Sequence, residues 1–249
     1  MPNGGSTSVI IPQQDVDVLI LCGGLGKRLR KVSGCVVPKP MVRVAGKPFL
    51  DILLGYFSSF GFRRFILGVG YRQEHIRNYY RLCPKGIDIS FSDEKTPLGT
   101  GGAVKNARTF IKSKTFFVVN GDSFCDFDPI KFLKFHRENK SLVSILLTKS
   151  SAARDYGQII MNGKQRILVF NEKNRNAKNC FVNAGVYLFE RKVYNFMAKE
   201  DIFSLEYDFF PKMAGKRIFG FPSPGYFIDI GTPEKYLKAK KYFQMSIKR

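Results

Sequence analysis

The chain is expected to fold as an α/β protein, with a Rossmann-like mixed, mainly parallel sheet flanked by helices. Three observations predict this. Apolar runs alternate with stretches of helical spacing through the first half of the chain. A glycine-rich turn follows the first apolar run directly. After Ser141 the strand-like runs come closer together, as an α+β half added to the same core. Strands separated by helices of this length pair in parallel, with both faces of the sheet covered.

The elements follow in order. Val16–Cys22 is apolar apart from Asp17 and reads as a buried strand. Pro48–Phe60 places Phe49, Leu50, Leu53, Leu54, Phe57 and Phe60 at helical spacing. A strand over Arg64–Val69, a helix over Gln73–Leu82 and an alternating strand over Ile87–Phe91 come next. Gly102–Ile111 is predicted helical and Thr115–Asn120 a buried strand. Asp128 as N-cap and Pro129 at the first position predict a helix over Pro129–Asn139. Strands are then predicted over Leu142–Thr148, Gly157–Met161, Arg166–Asn171 and Val182–Phe189. Helices return over Arg191–Ala198, Leu205–Ala214 and Thr232–Phe243. Residues 1–14 are polar and read as a flexible extension; residues 15–249 read as one domain, divided near residue 140 into two halves.

A chain of 249 residues, 44% hydrophobic, can bury one large core. Its formal net charge of +21 fits nucleic acid, an anionic membrane surface or phosphorylated small molecules. The five cysteines, Cys22, Cys35, Cys83, Cys125 and Cys180, are odd in number and contain no C-x-x-C, which argues against a disulfide framework or a structural zinc site. A reducing, cytoplasmic setting is expected. No apolar run approaches the ~18 residues that span a bilayer. His75 and His136 lie on predicted helices without metal or triad neighbours and read as structural.

The chemistry is carried by turns. "LCGGLGKRL", Leu21 to Leu29, packs Gly23, Gly24, Gly26, Lys27 and Arg28 behind a strand, the usual arrangement for cradling phosphate on backbone N–H groups. It is not a Walker A loop, since Arg28 follows Lys27 where Ser or Thr belongs. "VPKPM" holds Lys39 between Pro38 and Pro40 in a stiff segment. A second glycine-rich turn, "PLGTGGA", contains Gly99 and Thr100. "VVNGDS" puts Asp122 just past a buried strand, where ligands of open α/β sheets sit. "YFIDIGTPEKY" repeats the device with Asp229. Asp126 and Asp128 read as loop and cap residues.

This ordered set resembles the sugar-1-phosphate nucleotidylyltransferases. The resemblance runs from about Val16 to Phe243 and rests on Gly23-Gly24-Leu25-Gly26 with Arg28-Leu29, Pro38-Lys39-Pro40-Met41, Asn120-Gly121-Asp122, Glu172-Lys173, Asn183-Ala184-Gly185 and Asp229-Ile230-Gly231-Thr232-Pro233. "NGDSFCDFD" and "EKTPLGTGGA" look most like the D-glycero-D-manno-heptose 1-phosphate guanylyltransferases and their mannose 1-phosphate relatives. One departure is Lys27, where the family usually carries threonine.

The resemblance implies that an oxygen of a sugar 1-phosphate attacks the α-phosphorus of an NTP in line and pyrophosphate leaves. The nucleophile is already anionic, so catalysis comes from positioning and charge neutralisation. Leu21, Gly23, Gly24, Gly26 and Lys27 with Gly99 and Thr100 would hold the nucleotide, Arg28 its phosphates, and Lys39 the charge at the α-phosphate. Asp122 and Asp229 would hold Mg²⁺, a hard ion suited to carboxylate and phosphate oxygens. Glu172 and Lys173 would take the sugar hydroxyls and its phosphate, with Tyr156, Gly157 and Asn183 completing that pocket. These assignments make residues 15–140 the nucleotide half and 141–249 the sugar-phosphate half. Glu94 is expected to select GTP, because a carboxylate accepts from guanine N1–H and N2–H₂. The product would be a nucleotide-sugar for surface polysaccharide synthesis. Nucleic-acid binding and membrane insertion are not expected, since a nucleic-acid module has no use for Asp122, Asp229 or Glu172. Thymidylyl, uridylyl or cytidylyl transfer and homo-oligomerisation stay open.

Overall fold

A computed structural model of the protein describes residues 13–24, 26, 37–82, 86–150, 158–171 and 180–246, without the side chains of 150, 158 and 180. The first element is a 3-10 turn, Gln13–Asp15, which starts inside the predicted extension. Residues 1–12 lie outside the described residues.

The strands are β1 Asp17–Leu21, β2 Arg43–Val44, β3 Lys47–Pro48, β4 Arg64–Val69, β5 Asp88–Asp93, β6 Thr115–Asn120, β7 Ser123–Cys125, β8 Val143–Ser150, β9 Gln158–Met161, β10 Ile167–Asn171, β11 Cys180–Glu190, β12 Ile218–Ser223 and β13 Phe227–Asp229. The α-helices are α1 Phe49–Ser59, α2 Gln73–Tyr79, α3 Gly99–Asn106, α4 Pro129–Glu138, α5 Phe210–Met213 and α6 Pro233–Ser246. Among the described residues, nine strands form one mixed sheet. β6, β1, β4 and β5 are mutually parallel neighbours. β11 joins β6 and β8 antiparallel, and β12 runs parallel to β8. The predicted fold class holds.

Both faces of the sheet are buried, so its central strands are apolar without alternation. In β6, Phe117 and Val119 enter one core cluster while Phe116 and Val118 enter the other. The first cluster packs under α1 and α4 through Phe49, Leu53, Phe57 and Phe132. The second is closed by Val104 of α3 and by Tyr194, Phe209 and Phe210. Asp128 caps α4 as expected, its Oδ1 accepting from Ile130 N (2.9 Å) and Lys131 N (3.0 Å). Tyr79 and Tyr80, expected from the sequence to be core rather than stacking residues, differ: Tyr80 is buried and Tyr79 is 46% exposed, and both hydroxyls donate to Asp51.

Several elements differ from expectation. The predicted helix over Gly102–Ile111 begins earlier, at Gly99, and ends in a 3-10 turn, Ala107–Thr109. The "PLGTGGA" stretch therefore runs into the start of a helix rather than forming a separate turn. Its Gly101 and Gly102 N–H groups both donate to the Phe203 carbonyl (3.0 and 3.1 Å) and are already satisfied. Arg191–Phe196 is 3-10 rather than α, and Leu205–Phe209 is a π turn leading into α5. β12 and the small β7–β13 ribbon form through pairing at long range.

Asp17, the one charge in the first apolar run, is buried at the start of β1. Its Oδ2 accepts from Lys112 N and Ser113 N (both 2.6 Å) and from Ser113 Oγ (2.8 Å), and Oδ1 pairs with Arg64 Nε at 2.9 Å. Asp17→Ala strands these donors, and is expected to cost about 3 kcal/mol of stability in urea denaturation. Michaelis constants should not change, because Asp17 lies at the end of β1 remote from the glycine-rich turn.

Candidate active site

The sheet places the glycine-rich turn and Asp122 side by side. β1 and β6 are parallel with Leu21 opposite Asn120, so both chains leave the sheet at the same edge. Gly121 N donates to the Leu21 carbonyl (3.0 Å), and a Cβ on Gly121 would lie 2.6 Å from that oxygen. Only glycine lets the two turns approach this closely.

Two adjoining cavities open there. The first, ≈ 240 Å³, is bounded by Gly24, Gly26, Lys39, Pro40, Asp122 and Gly231. The second, ≈ 350 Å³, is bounded by Gly23, Glu94, Leu98, Gly99, Thr100 and Asn120. Leu21, Gly24 and Asp122 border both, which makes one cleft.

Asp229, 107 residues further along the chain, comes beside this cleft through Gly231, which borders it. In the β7–β13 ribbon Asp229 faces Ser123, and Ile230 N donates to the Asp122 carbonyl (2.9 Å). The Asp229 carboxylate accepts from Gly231 N (2.8 Å) and Lys235 Nζ (2.9 Å). Asp122 is paired with Lys39 Nζ, and its Oδ1 accepts from Ser123 Oγ (3.1 Å). Lys39 follows Pro38 in a 3-10 turn, Lys39–Met41, and its side chain is 13% exposed. Asp122 and Lys39 thus border the cleft, while Asp229 and Lys235 pair beside it next to Gly231, each carboxylate matched by a lysine. Among the described residues no three metal-ligating side chains converge. Two hard carboxylates beside a cavity suit Mg²⁺ when phosphate oxygens supply further ligands.

Glu94 follows β5 and lines the second cavity. Its N–H donates to the Val69 carbonyl (2.7 Å), which aims the side chain across the cleft toward the glycine-rich turn. A Cβ on Gly23 would lie 2.3 Å from Glu94 Oε1, so glycine at 23 makes room for this carboxylate. Burial raises its pKa above the ordinary glutamate value, partly offset by a hydrogen bond from the Leu98 backbone.

Thr100 borders the cleft, but its hydroxyl is engaged inward. It donates to Glu206 Oε2 (2.6 Å) and accepts from Leu205 N (2.8 Å). Asn183 is likewise engaged within β11: its Nδ2 donates to Tyr187 Oη (2.8 Å) and its Oδ1 accepts from Gly185 N (2.9 Å). Tyr187 in turn donates to Glu206 Oε1 (3.1 Å), so one buried network ties the cleft wall to the strand irregularity between Asn183 and Tyr187. Asn183 does not border either cavity; Asn120, beside Gly185, does. The Asn120 Oδ1 acceptor is buried without a hydrogen-bond partner among the described residues. Asn120 belonged to a quoted motif without a role, and Glu206 carried no local signal at all. Lys27, Arg28, Tyr156, Gly157, Glu172 and Lys173 lie outside the described residues.

Cys22 and Cys125 are free and buried, and burial pushes the Cys125 thiol up to about 12 and Cys22 higher, so neither is a ready nucleophile. His136 is buried with Nδ1 2.8 Å from Ser144 Oγ, the structural role expected.

A doubly covered parallel core, a glycine-rich turn at the carboxyl ends of its strands, and paired Asp and Lys side chains there define a nucleotide-handling enzyme. The chain belongs to the nucleotidyl transferase family, whose model matches residues 17–245. It is similar to the D-glycero-alpha-D-manno-heptose 1-phosphate guanylyltransferase of Aneurinibacillus thermoaerophilus, 36% identical over 92% of this chain and 99% of that protein. It is also similar to the mannose-1-phosphate guanylyltransferase of Mycobacterium tuberculosis, 33% identical over 90% of this chain and 63% of that one. The crystal structure of HddC from Yersinia pseudotuberculosis complexed with GMP-PN superimposes with a TM-score of 0.81, at 38% identity over 92% of this chain and 99% of that one. No helix among the described residues is long and apolar enough to cross a membrane.

Proposed function

We propose that the protein transfers a guanylyl group from GTP to a heptose 1-phosphate, forming a nucleotide-sugar for surface polysaccharide synthesis and releasing pyrophosphate. A phosphate oxygen of the sugar 1-phosphate forms a bond to the α-phosphorus while the bond to the bridging α–β oxygen breaks, and pyrophosphate leaves with the electron pair. The observation that carries the choice of base is Glu94, whose carboxylate lies in the cleft against Gly23. As an ionised acceptor it matches the adjacent N1–H and N2–H₂ donors of guanine and opposes the acceptors of uracil and thymine. A relative solved with GMP-PN and the guanylyltransferase names of two others support the same base.

Lys39 offsets the negative charge at the α-phosphate, and Arg28 pairs with the phosphates of the incoming nucleotide. Asp122 and Asp229 would hold Mg²⁺, which when bound supplies charge neutralisation between the two polyanions. Lys39 and Lys235 keep these carboxylates paired in the structure described. Glu172, Lys173, Tyr156 and Gly157 would bind the sugar phosphate, and Asn183, bonded within β11, would act on that substrate through the backbone it holds. The free, buried Cys22 and Cys125 suit a reducing cytoplasm.

The test is pyrophosphate release from the purified protein with Mg²⁺, each NTP in turn, and heptose 1-phosphate or mannose 1-phosphate. GTP with heptose 1-phosphate should give the highest kcat/KM; faster turnover of mannose 1-phosphate would reassign the sugar and leave the base. Glu94→Gln should reduce the preference for GTP over UTP or dTTP by about ten- to a hundredfold, the scale of one hydrogen-bonded charge. Because burial raises Glu94, the wild-type preference for GTP should also weaken on acidification, as the carboxyl gains a donor and comes to resemble glutamine. An unchanged nucleotide ranking in Glu94→Gln would remove Glu94 from base selection.

A further inference from the structure

The end of the sheet opposite Asp122 holds another cavity, ≈ 620 Å³, between the C-terminus of α4 and the starts of β6, β8 and β12. Thr115 on its wall begins β6, the strand that leads to Asp122, so the two sites lie about 20 Å apart.

Its charge is one-sided. Among the described residues, Lys114, Arg137, Lys140, Lys192 and Arg217 border it against one carboxylate, Glu190. Glu190 is already engaged: it accepts from Thr115 Oγ1 and lies 3.6 Å from His136 Nε2. Arg217 is partly engaged, its guanidinium donating to the Lys140 carbonyl. The backbone carbonyls at the end of α4 are spent as well, and the Glu138 carboxylate pairs with Lys134 at 3.8 Å. The Phe135, His136 and Arg137 carbonyls accept from Asn139, Ser141 and Lys140 N–H respectively.

Donors are what remain. Ser141 is 1% exposed and, among the described residues, its hydroxyl has no hydrogen-bond partner; Arg137 Nη2 is buried and also has none there. Burial holds the Arg137 guanidinium below its ordinary range, with Glu190 opposing that shift only in part. A basic chain is expected to carry solvated lysines on its surface. It is not expected to bury a hydroxyl and a guanidinium nitrogen, both unmatched, in one lysine-rimmed cavity.

We propose that this cavity is a second anion site, remote from the nucleotidyl-transfer cleft, that takes a phosphate-bearing small molecule. A forked guanidinium, a hydroxyl and several ammonium groups suit the three acceptor oxygens of a phosphate monoester. The volume is larger than orthophosphate needs and falls in the range of sites for small organic ligands, such as a sugar phosphate or a mononucleotide.

Calorimetric titration of the folded protein with inorganic phosphate tests this. Wild type and Lys39→Ala should bind phosphate alike, since Lys39 belongs to the other cleft. Arg137→Ala should weaken binding about tenfold or more. Lys114→Glu/Lys192→Glu changes two exposed side chains, so it leaves folding intact and should abolish binding while turnover without added phosphate is unchanged. Tungstate soaked into crystals should give an anomalous peak beside Arg137 and Ser141. Phosphate binding that is absent, that disappears only in Lys39→Ala, or that survives Lys114→Glu/Lys192→Glu overturns the proposal.

Discussion

Asp122→Asn is expected to reduce turnover by about two to three orders of magnitude, the scale seen when one preorganised charged or polar contact to the reacting group is removed. The carboxylate borders both cavities and its backbone carbonyl accepts from Ile230 N, which ties it to the Asp229 strand. Asparagine preserves the shape and that backbone bond but removes a hard anionic ligand and the partner of Lys39. The Asp122 side chain is 36% exposed, so the pair with Lys39 adds little to stability, and the melting temperature should stay within a few degrees of wild type. Activity should also require more Mg²⁺ for half-saturation, and EDTA should abolish it in the wild type. Wild-type turnover in Asp122→Asn at limiting Mg²⁺ would end the metal assignment.

Lys39→Ala is expected to lower kcat by a similar factor, about a hundredfold or more, with a smaller change in KM for GTP. Its Nζ is held between Asp122 and Gly231, with a Cβ on Gly231 falling 3.4 Å from it, so the ammonium is fixed inside the first cavity rather than sweeping through solvent. A fixed charge contributes most where charge develops in the transition state. Lys173→Ala is expected to behave differently, raising KM for the sugar phosphate with little effect on kcat. Single-turnover kinetics separate the two. Equal effects on both parameters in both variants would dissolve the division of roles between the two lysines.

The amino-acid pattern was sufficient for the parallel core. β4 and β6 fall on the predicted Arg64–Val69 and Thr115–Asn120, because strands buried on both faces must be continuously apolar. α4 begins where the Asp128-Pro129 signal places it, because its cap is local. The later half was harder to read. β12 carries Gly220 and Pro222, weak strand residues, and exists because Ile218–Ser223 pairs with Val143–Thr148. The π turn Leu205–Phe209 is held by Ser204 and Thr100, and the latter lies a hundred residues upstream.

The site divides along the same line. Glycine spacing, the Pro-Lys-Pro segment and aspartates after strands are local signals, and they marked Gly23, Gly24, Gly26, Lys39, Asp122 and Asp229 without any knowledge of contacts. What Glu94 faces could not be read locally, since a glutamate next to a lysine in a loop fits solvent equally well; the β4–β5 pairing and the missing side chain of Gly23 bring it into the cleft. Thr100 shows the opposite case: its place by the cleft was legible, but its hydroxyl is spent on Glu206, a partner 106 residues away. Local sequence specifies which groups the chain carries and the turns that present them. Tertiary structure decides which of those groups keep a free hydrogen-bonding atom for a ligand, because most buried polar atoms take a partner wherever folding supplies one, however distant in sequence.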